Sequence, residues 1–506
     1  MMVNYLIDAL RAGSSGADER VFATLPDRTT MSFDQLFGGA EQMAAALFAA
    51  GVTPGDRVAV QVEKSPSAVQ LYLGTVMAGA IFLPLNTAYT PAELDYFLTD
   101  AAPRVFVCDP ARIDALAPIA TKAGTARILT LGSDGSGTLA EAAQTRAARF
   151  AAVARSASDI AAILYTSGTT GRSKGAMLTH DNLASNARVL ASLWKFTPQD
   201  VLIHALPIFH THGLFVATNV ALVAGASLRF HASFDAAAIL ADMADATVLM
   251  GVPTFYTRLL AHPDLNRQTT AGMRVFVSGS APLLAQTHME WSERTGHAIL
   301  ERYGMTETNM NSSNPYDGER RPGTVGFALP GTEIIITDPA TGAPLPQGDV
   351  GAIEVRGPNV FKGYWQMPEK TAAELRENGF FITGDLGRFS SDGYLEIVGR
   401  SKDLIITGGY NVYPKELEDL IDALPGVAES AVFGLPHPDF GESVAVAVVL
   451  RPDSTMTATE IQQAISPNLA RFKQPKQVFI LAELPRNAMG KVSKAVLRQN
   501  HIPVPE

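Results

Sequence analysis

The stretch Tyr165-Thr166-Ser167-Gly168-Thr169-Thr170-Gly171-Arg172-Ser173-Lys174-Gly175 follows directly on the apolar run Ala161-Ala162-Ile163-Leu164. A short apolar run closed by glycines and hydroxyl residues reads as a strand that ends in a loop. Glycines let such a loop curl until several N–H groups and hydroxyls face one anion, and Lys174 adds a point charge, so the segment is expected to bind phosphate. It is not a Walker A loop. That motif needs Gly before its lysine and Ser or Thr after it, whereas Ser173 and Gly175 occupy those positions.

Outward from this loop, short apolar runs at residues 57–62, 81–85, 105–107, 247–250 and 274–277 alternate with longer Ala/Leu-rich segments of helical period. The alternation predicts an α/β fold with mainly parallel sheets. Between about residues 318 and 399 the character changes. Strand-like pieces at 333–337, 352–355 and 394–398, separated by Gly, Pro and Asp turns, predict a β-rich subdomain. Beyond Gly399-Arg400-Ser401-Lys402-Asp403 about a hundred residues carry helices and a strand pair, enough for a small α+β domain. The expected organisation is a large N-terminal domain over 1–399, of parallel-sheet α/β subdomains plus the β-rich one, and a small mobile C-terminal domain over 403–506. The hinge is placed at 400–402. The Gly/Ser-rich piece at 132–137 reads as a surface loop.

A chain of 506 residues with 47% apolar and 18% charged residues has the balance of a globular protein of at least two domains. Its formal net charge of −10 argues against nucleic acid or an anionic membrane surface as partner, so anionic substrates need local positive sites. Cys108 is the only cysteine, which rules out an internal disulfide. No secretory signal pattern opens the chain and no stretch approaches a membrane span, so a reduced, cytoplasmic setting is expected.

Four further motifs follow the loop in order: Tyr303-Gly304-Met305-Thr306-Glu307, Thr383-Gly384-Asp385, Gly399-Arg400-Ser401-Lys402-Asp403 and Pro485-Arg486-Asn487-Ala488-Met489-Gly490-Lys491. Together with the loop they resemble the adenylate-forming superfamily of acyl-CoA synthetases, luciferases and peptide-synthetase adenylation domains. The resemblance implies that ATP and a carboxylic acid form an acyl-adenylate, whose acyl group then passes to coenzyme A. It gives Thr166, Ser167, Gly168, Thr169, Thr170, Gly171 and Lys174 to the phosphates, and Glu307 with Thr166 to Mg2+, an ion suited to hard oxygen donors. Thr306 supplies a further hydroxyl. Tyr303, preceded by Arg302, and the turn Gly279-Ser280-Ala281-Pro282 would enclose adenine, with Asp385 and Arg400 on the ribose.

Lys491 resembles the lysine that bridges the attacking carboxylate and the α-phosphate. Acylation of Lys491 by a protein lysine acyltransferase, reversible by a deacylase, would remove that charge. For the second half-reaction the resemblance implies rotation of the small domain, so that Gly408 and Gly409 line the thiol tunnel. Arg471, Lys473 and Lys476 read equally as a seat for coenzyme A phosphates or as a solvated basic face.

The acid pocket is expected between Leu206-Pro207-Ile208-Phe209-His210-Thr211-His212-Gly213-Leu214 and Asn309-Met310-Asn311. Its polar residues argue against a fatty acid. Arg258 is the candidate cation for a second substrate carboxylate, helped by the Ser280 hydroxyl, because a buried carboxylate without a cation is costly. With the Thr306–Asn311 and Phe209–Phe215 segments, this arginine resembles the malonyl-CoA synthetases. The expected acid is therefore malonate, with Thr211 and Met310 limiting pocket size and His210 as gate or wall; methylmalonate and acetate are the alternatives.

Overall fold

The computed structural model describes residues 4–16, 19–146, 149–166, 173–408, 410–486 and 491–501. Four sheets organise them. A six-stranded sheet runs in the order Arg127–Thr130, Val105–Cys108, Arg57–Gln61, Ile81–Pro84, Ile160–Thr166 and Lys174–Thr179. Its strands are parallel up to Ile160–Thr166, which pairs antiparallel with Lys174–Thr179. Thr166 and Lys174, which flank the glycine-rich motif, thus lie opposite each other in a hairpin at a sheet edge.

The nine-stranded sheet is parallel through its centre, where Val201–His204, Val248–Gly251, Val275–Ser278 and Leu300–Met305 lie side by side. Val248–Gly251 and Val275–Ser278 are buried at every position, as expected for strands covered on both faces and read as unbroken apolar runs. In open parallel sheets ligands bind beyond the carboxyl ends of the strands. Those ends deliver residues 205–213, 252–258, 279–282 and 306–307 to one rim.

Local sequence explains where the covering helices start. Ser32 and Gln35 form a reciprocal cap on the helix Phe33–Ala49, and Thr90 and Glu93 do the same for Pro91–Ala101, which begins with proline. One large apolar core unites the helices with both parallel sheets.

Residues 333–400 form a four-stranded antiparallel sheet, Glu333–Thr337, Gly351–Arg356, Phe381–Phe389 and Leu395–Arg400, in which Asp385 and Arg400 are direct cross-strand partners. The last hundred residues hold more strand than the pair expected. Tyr410–Val412, Ile405–Thr407, Gly441–Leu450, Val427–His437 and Gln477–Leu481 make a five-stranded sheet with cores of its own on both faces. The helices Pro414–Asp422, Ala458–Ile465 and Lys494–His501 accompany it. Among the described residues no helix is long and apolar enough to cross a membrane.

Candidate active site

The phosphate loop and the Tyr303–Glu307 motif meet. Thr166 Oγ1 lies 3.5 Å from Glu307 Oε1, and the hydroxyl of Tyr364 donates to that same carboxylate oxygen at 3.1 Å. Tyr364 also reaches Glu374 Oε2 at 2.6 Å, and Glu374 receives the Lys174 ammonium at 3.2 Å, with Lys174 4.1 Å above the Tyr364 ring. Tyr364 and Glu374 thus tie the lysine of the loop to the acid of the distant motif. Neither belongs to a motif visible in the sequence, although Gly363-Tyr364-Trp365 closes the run before the helix Pro368–Glu374.

Glu307 is 5% exposed and its burial raises the pKa of its carboxyl. A buried carboxylate with a hydroxyl beside it fits a magnesium ion that takes most of its ligands from water and substrate phosphates. Among the described residues no group of three His, Cys, Asp or Glu could hold a metal ion.

Across the cleft Tyr303 donates its hydroxyl to Asp385 Oδ2 at 2.5 Å, and Arg400 Nε binds Asp385 Oδ1 at 2.7 Å. The backbone N–H of Asp385 is in turn held by Thr383 Oγ1 at 3.0 Å. These contacts fix the edge of the Tyr303 ring and leave lone pairs on Asp385 free to accept from two ribose hydroxyls.

A cavity of about 110 Å3 is lined by Leu206, Pro207, Phe209, His210, His212, Gly213, Val252, Phe255, Ser280 and Lys491. Lys491, from the far end of the chain, closes it. Although much of residue 491 is exposed, desolvation of its ammonium lowers its pKa, as does Arg400, while Asp385 and Glu307 act in the opposite sense. Charges from three of the other motifs, Glu307, Asp385 and Arg400, are therefore felt at one nitrogen. Burial, with Lys491 and Arg302, pushes the His210 imidazole down to about 3, so that ring is neutral. Ser280 Oγ lies 3.2 Å from His212 Nδ1, and Ser280 itself sits at φ 71, a strained conformation of the kind that clusters at functional sites.

Arg302 is 3% exposed, and its Nε and Nη2 have no partner among the described residues. Burial lowers its pKa to about 9, and its charge acts on both His210 and His212. A Cβ on Gly279 would collide with this guanidinium, so glycine there lets Arg302 come up under the Gly279–Ser280 backbone.

Other expected residues lie differently. Arg258 does not line the cavity: it is exposed on the helix Pro253–Leu260, 5.8 Å above the Phe234 ring, which packs at 4.3 Å on the cavity residue Phe255. Thr211 and Met310 are both 2% exposed but absent from the cavity wall, and Met310 packs against Gly304. Thr306 is partly exposed beside Glu307. Lys473 binds Glu416 at 2.6 Å and Arg471 is exposed nearby. Gly408 takes φ 57 against Phe440, Ala281 and Pro282 complete the turn after Ser280, and Ser167, Gly168, Thr169, Thr170, Gly171 and Gly409 lie outside the described residues.

Residues 11–365 match the family described as AMP-binding enzyme, and residues 416–491 its C-terminal domain. A malonate–CoA ligase of Arabidopsis thaliana is 35% identical over 89% of this chain and 79% of its own length. A feruloyl-CoA synthase of Amycolatopsis is 34% identical over 93% and 94%. ATP-bound MatB of Rhodopseudomonas palustris is 58% identical, covers 99% of each chain and superposes with a TM-score of 0.96; the apo form of the same protein gives 0.87.

Proposed function

The chain belongs to the AMP-binding enzyme family of acid–CoA ligases, and from that premise we propose that its acid is malonate: malonate, ATP and CoA become malonyl-CoA, AMP and pyrophosphate. The observation that carries the choice is a cavity of only about 110 Å3 whose histidines feel the charge of Arg302, a buried guanidinium behind the lining whose Nε and Nη2 have no partner among the described residues. Pockets for drug-sized ligands run from about 300 Å3. A feruloyl or long acyl chain is too large for this cavity. A monocarboxylate would leave the Arg302 charge uncompensated, which is costly in so buried a place. The 58% identity to MatB supports the same reading.

The family's first step is attack by a carboxylate oxygen on the α-phosphorus of ATP, with departure of pyrophosphate, so no proton has to be removed. What the protein must supply is positive charge where negative charge gathers. Lys491 Nζ spans the attacking carboxylate and the α-phosphate in this reading, and Lys174 exchanges Glu374 for the departing phosphates. Glu307 and the Thr166 hydroxyl would hold Mg2+, which contributes charge neutralisation at the phosphates. Tyr303 and the Gly279–Pro282 turn flank adenine, and Asp385 with Arg400 takes the ribose. Arg302 supplies positive charge for the second carboxylate from behind the Gly279–Ser280 backbone, with the Ser280 hydroxyl on the cavity wall. Arg258, three residues beyond Phe255 and so on the same helix face, guards the mouth.

The second step is attack by the CoA thiolate on the acyl carbon, with AMP leaving. Lys491 covers that approach, so the segment after residue 402 pivots at 400–402 and brings Gly408 and Gly409 to the thiol. The better superposition on ATP-bound than on apo MatB supports assigning the present orientation to adenylation.

The test is CoA-dependent pyrophosphate release with malonate, methylmalonate, acetate, benzoate and ferulate. Malonate should give the highest kcat/KM. Preference for benzoate or ferulate would sink the cavity argument, and preference for acetate the role of Arg302.

A further inference from the structure

Lys64 is 8% exposed and is not used by the chemistry above. It leaves the end of the strand Arg57–Gln61 in the six-stranded sheet and reaches into the nine-stranded one. Its Nζ lies 3.0 Å from His204 Nδ1 and 2.8 Å from the His204 carbonyl oxygen, 4.6 Å above the Phe230 ring. Burial drives its pKa well below that of a free lysine, and burial and Lys64 together do the same to His204. This is an amine and an imidazole deep between two sheets, at the base of the segment that forms the acid pocket.

The far side of the His204 ring fixes the direction of the chain of hydrogen bonds. His204 Nε2 lies 2.9 Å from the Gly213 carbonyl oxygen and 3.1 Å from Thr218 Oγ1, which itself donates to that carbonyl at 3.0 Å. A carbonyl only accepts, so the imidazole carries its proton on Nε2, and Nδ1 is left to accept from Lys64. Gly213 lies in a π-helical turn, His212–Thr218, a rare winding found frequently at functional sites. A Cβ at Gly213 would strike the Pro207 carbonyl, so this turn is pressed directly onto Leu206-Pro207. Leu206, Pro207, His210, His212 and Gly213 are together half of the cavity lining.

We infer that Lys64 and His204 are positioning residues for acid recognition: through the Gly213 carbonyl they hold the π-helical turn at the depth that sizes the acid cavity. The inference rests on the cavity being the acid site, as proposed above. It assigns a role in acid selection to two residues that touch neither substrate, while the nucleotide residues Glu307, Tyr303 and Asp385 stand on other elements.

The test compares His204→Phe, which keeps a ring but loses both polar ends, with His204→Gln, whose amide can donate to Gly213 and accept from Lys64. Lys64→Met is the third variant. KM for the acid and KM for ATP are measured for each, with whichever acid the wild-type enzyme prefers, so the identity of the acid is decided separately by the wild-type panel. His204→Phe should raise the acid KM by about tenfold or more with the ATP KM changed less than about twofold, and His204→Gln should return both to within about threefold of wild type. Lys64→Met should move in the same direction as His204→Phe, and it decides the matter if His204→Phe does not fold. An unchanged acid KM, or equal rises in both KM values, would overturn the inference.

Discussion

Tyr303 and Asp385, 82 residues apart, share a 2.5 Å hydrogen bond from phenol to carboxylate, while Arg400 occupies the other carboxylate oxygen. The aromatic wall of the nucleotide slot is therefore clamped to the group assigned to the ribose. Tyr303→Phe keeps the ring and loses the clamp, so the ATP KM should rise only a few-fold. Asp385→Ala removes the ribose acceptor and leaves Arg400 without its partner, a loss expected to reach about a hundredfold, as truncating one member of a buried charge pair does. Steady-state kinetics at saturating acid compares the two; an equal loss in both variants would contradict the assignment.

Lys491 closes the acid cavity in the orientation described, so its charge matters to the first step and not to the second. Lys491→Ala should lower acid-dependent ATP–pyrophosphate exchange by about 10²–10³-fold, the range for losing one preorganised electrostatic donor. Thioester formation from supplied acyl-adenylate and CoA should stay within a few-fold of wild type. Because burial and Arg400 lower the pKa of this ammonium, the active charged form persists at low pH and disappears as pH rises through the lowered value. Exchange should therefore decline on the alkaline side earlier than a free lysine would dictate. Lys491→Arg, if active, should push that decline upward.

For the acid itself, Arg302 and Arg258 make separable predictions. Arg302→Met should cut kcat/KM for malonate by about a hundredfold or more and narrow the gap between malonate and acetate, since it removes the buried countercharge. Arg258→Ala, which removes an exposed guanidinium at the mouth, should have a smaller effect, about tenfold or less, on malonate and almost none on ATP. The acid panel repeated on both variants checks this order. A larger loss from Arg258→Ala would make the mouth residue the principal cation.

Glu301, next to Arg302 in the chain but on the opposite face of the strand, titrates with the fold. Burial raises its carboxyl to about 8, with Lys415 and the amides of Gly323 and Leu283 acting in the opposite sense. In the unfolded chain it returns to about 4.5. Between those values the folded state binds the proton and the unfolded state does not, so stability falls as pH rises from about 4.5 to 8. Glu301→Gln should remove that contribution, giving a variant more stable than wild type at pH 8 by an amount of order a few kcal/mol. Chemical denaturation at pH 5 and pH 8 reads the difference; identical pH slopes for the two proteins would refute it.

Much of the fold was legible because its central strands are mostly apolar and buried. The runs at 57–62, 105–107 and 274–277 match strands to within a residue or two. The strand Lys174–Thr179 starts inside the glycine-rich motif, so no separate apolar run marks its beginning. The strands of the C-terminal sheet were undercounted because alternation is diluted where two small cores share one sheet. Of the site, the motif residues that touch one another, Thr166 with Glu307 and Asp385 with Arg400, were legible through the family resemblance of their motifs. Tyr364, Glu374 and Arg302's unpartnered nitrogens were not. Each depends on contacts across 57 to 200 residues of chain, or on the absence of a contact, and composition records neither. The position of Arg258 above Phe234 was equally hidden, because a helix start does not reveal which rotamer an arginine adopts.

Thr166 and Lys174 stand at opposite ends of the glycine-rich motif on two antiparallel strands. In enzymes where such a loop opens a helix, aligned peptide dipoles hold the anion even when a side chain is lost. Here the loop returns into the antiparallel strand Lys174–Thr179, and strand dipoles largely cancel. Phosphate retention must then lean on an individual ammonium and on local N–H groups, so nucleotide affinity in this protein should be unusually vulnerable to neutralising a single side chain and to competing salt.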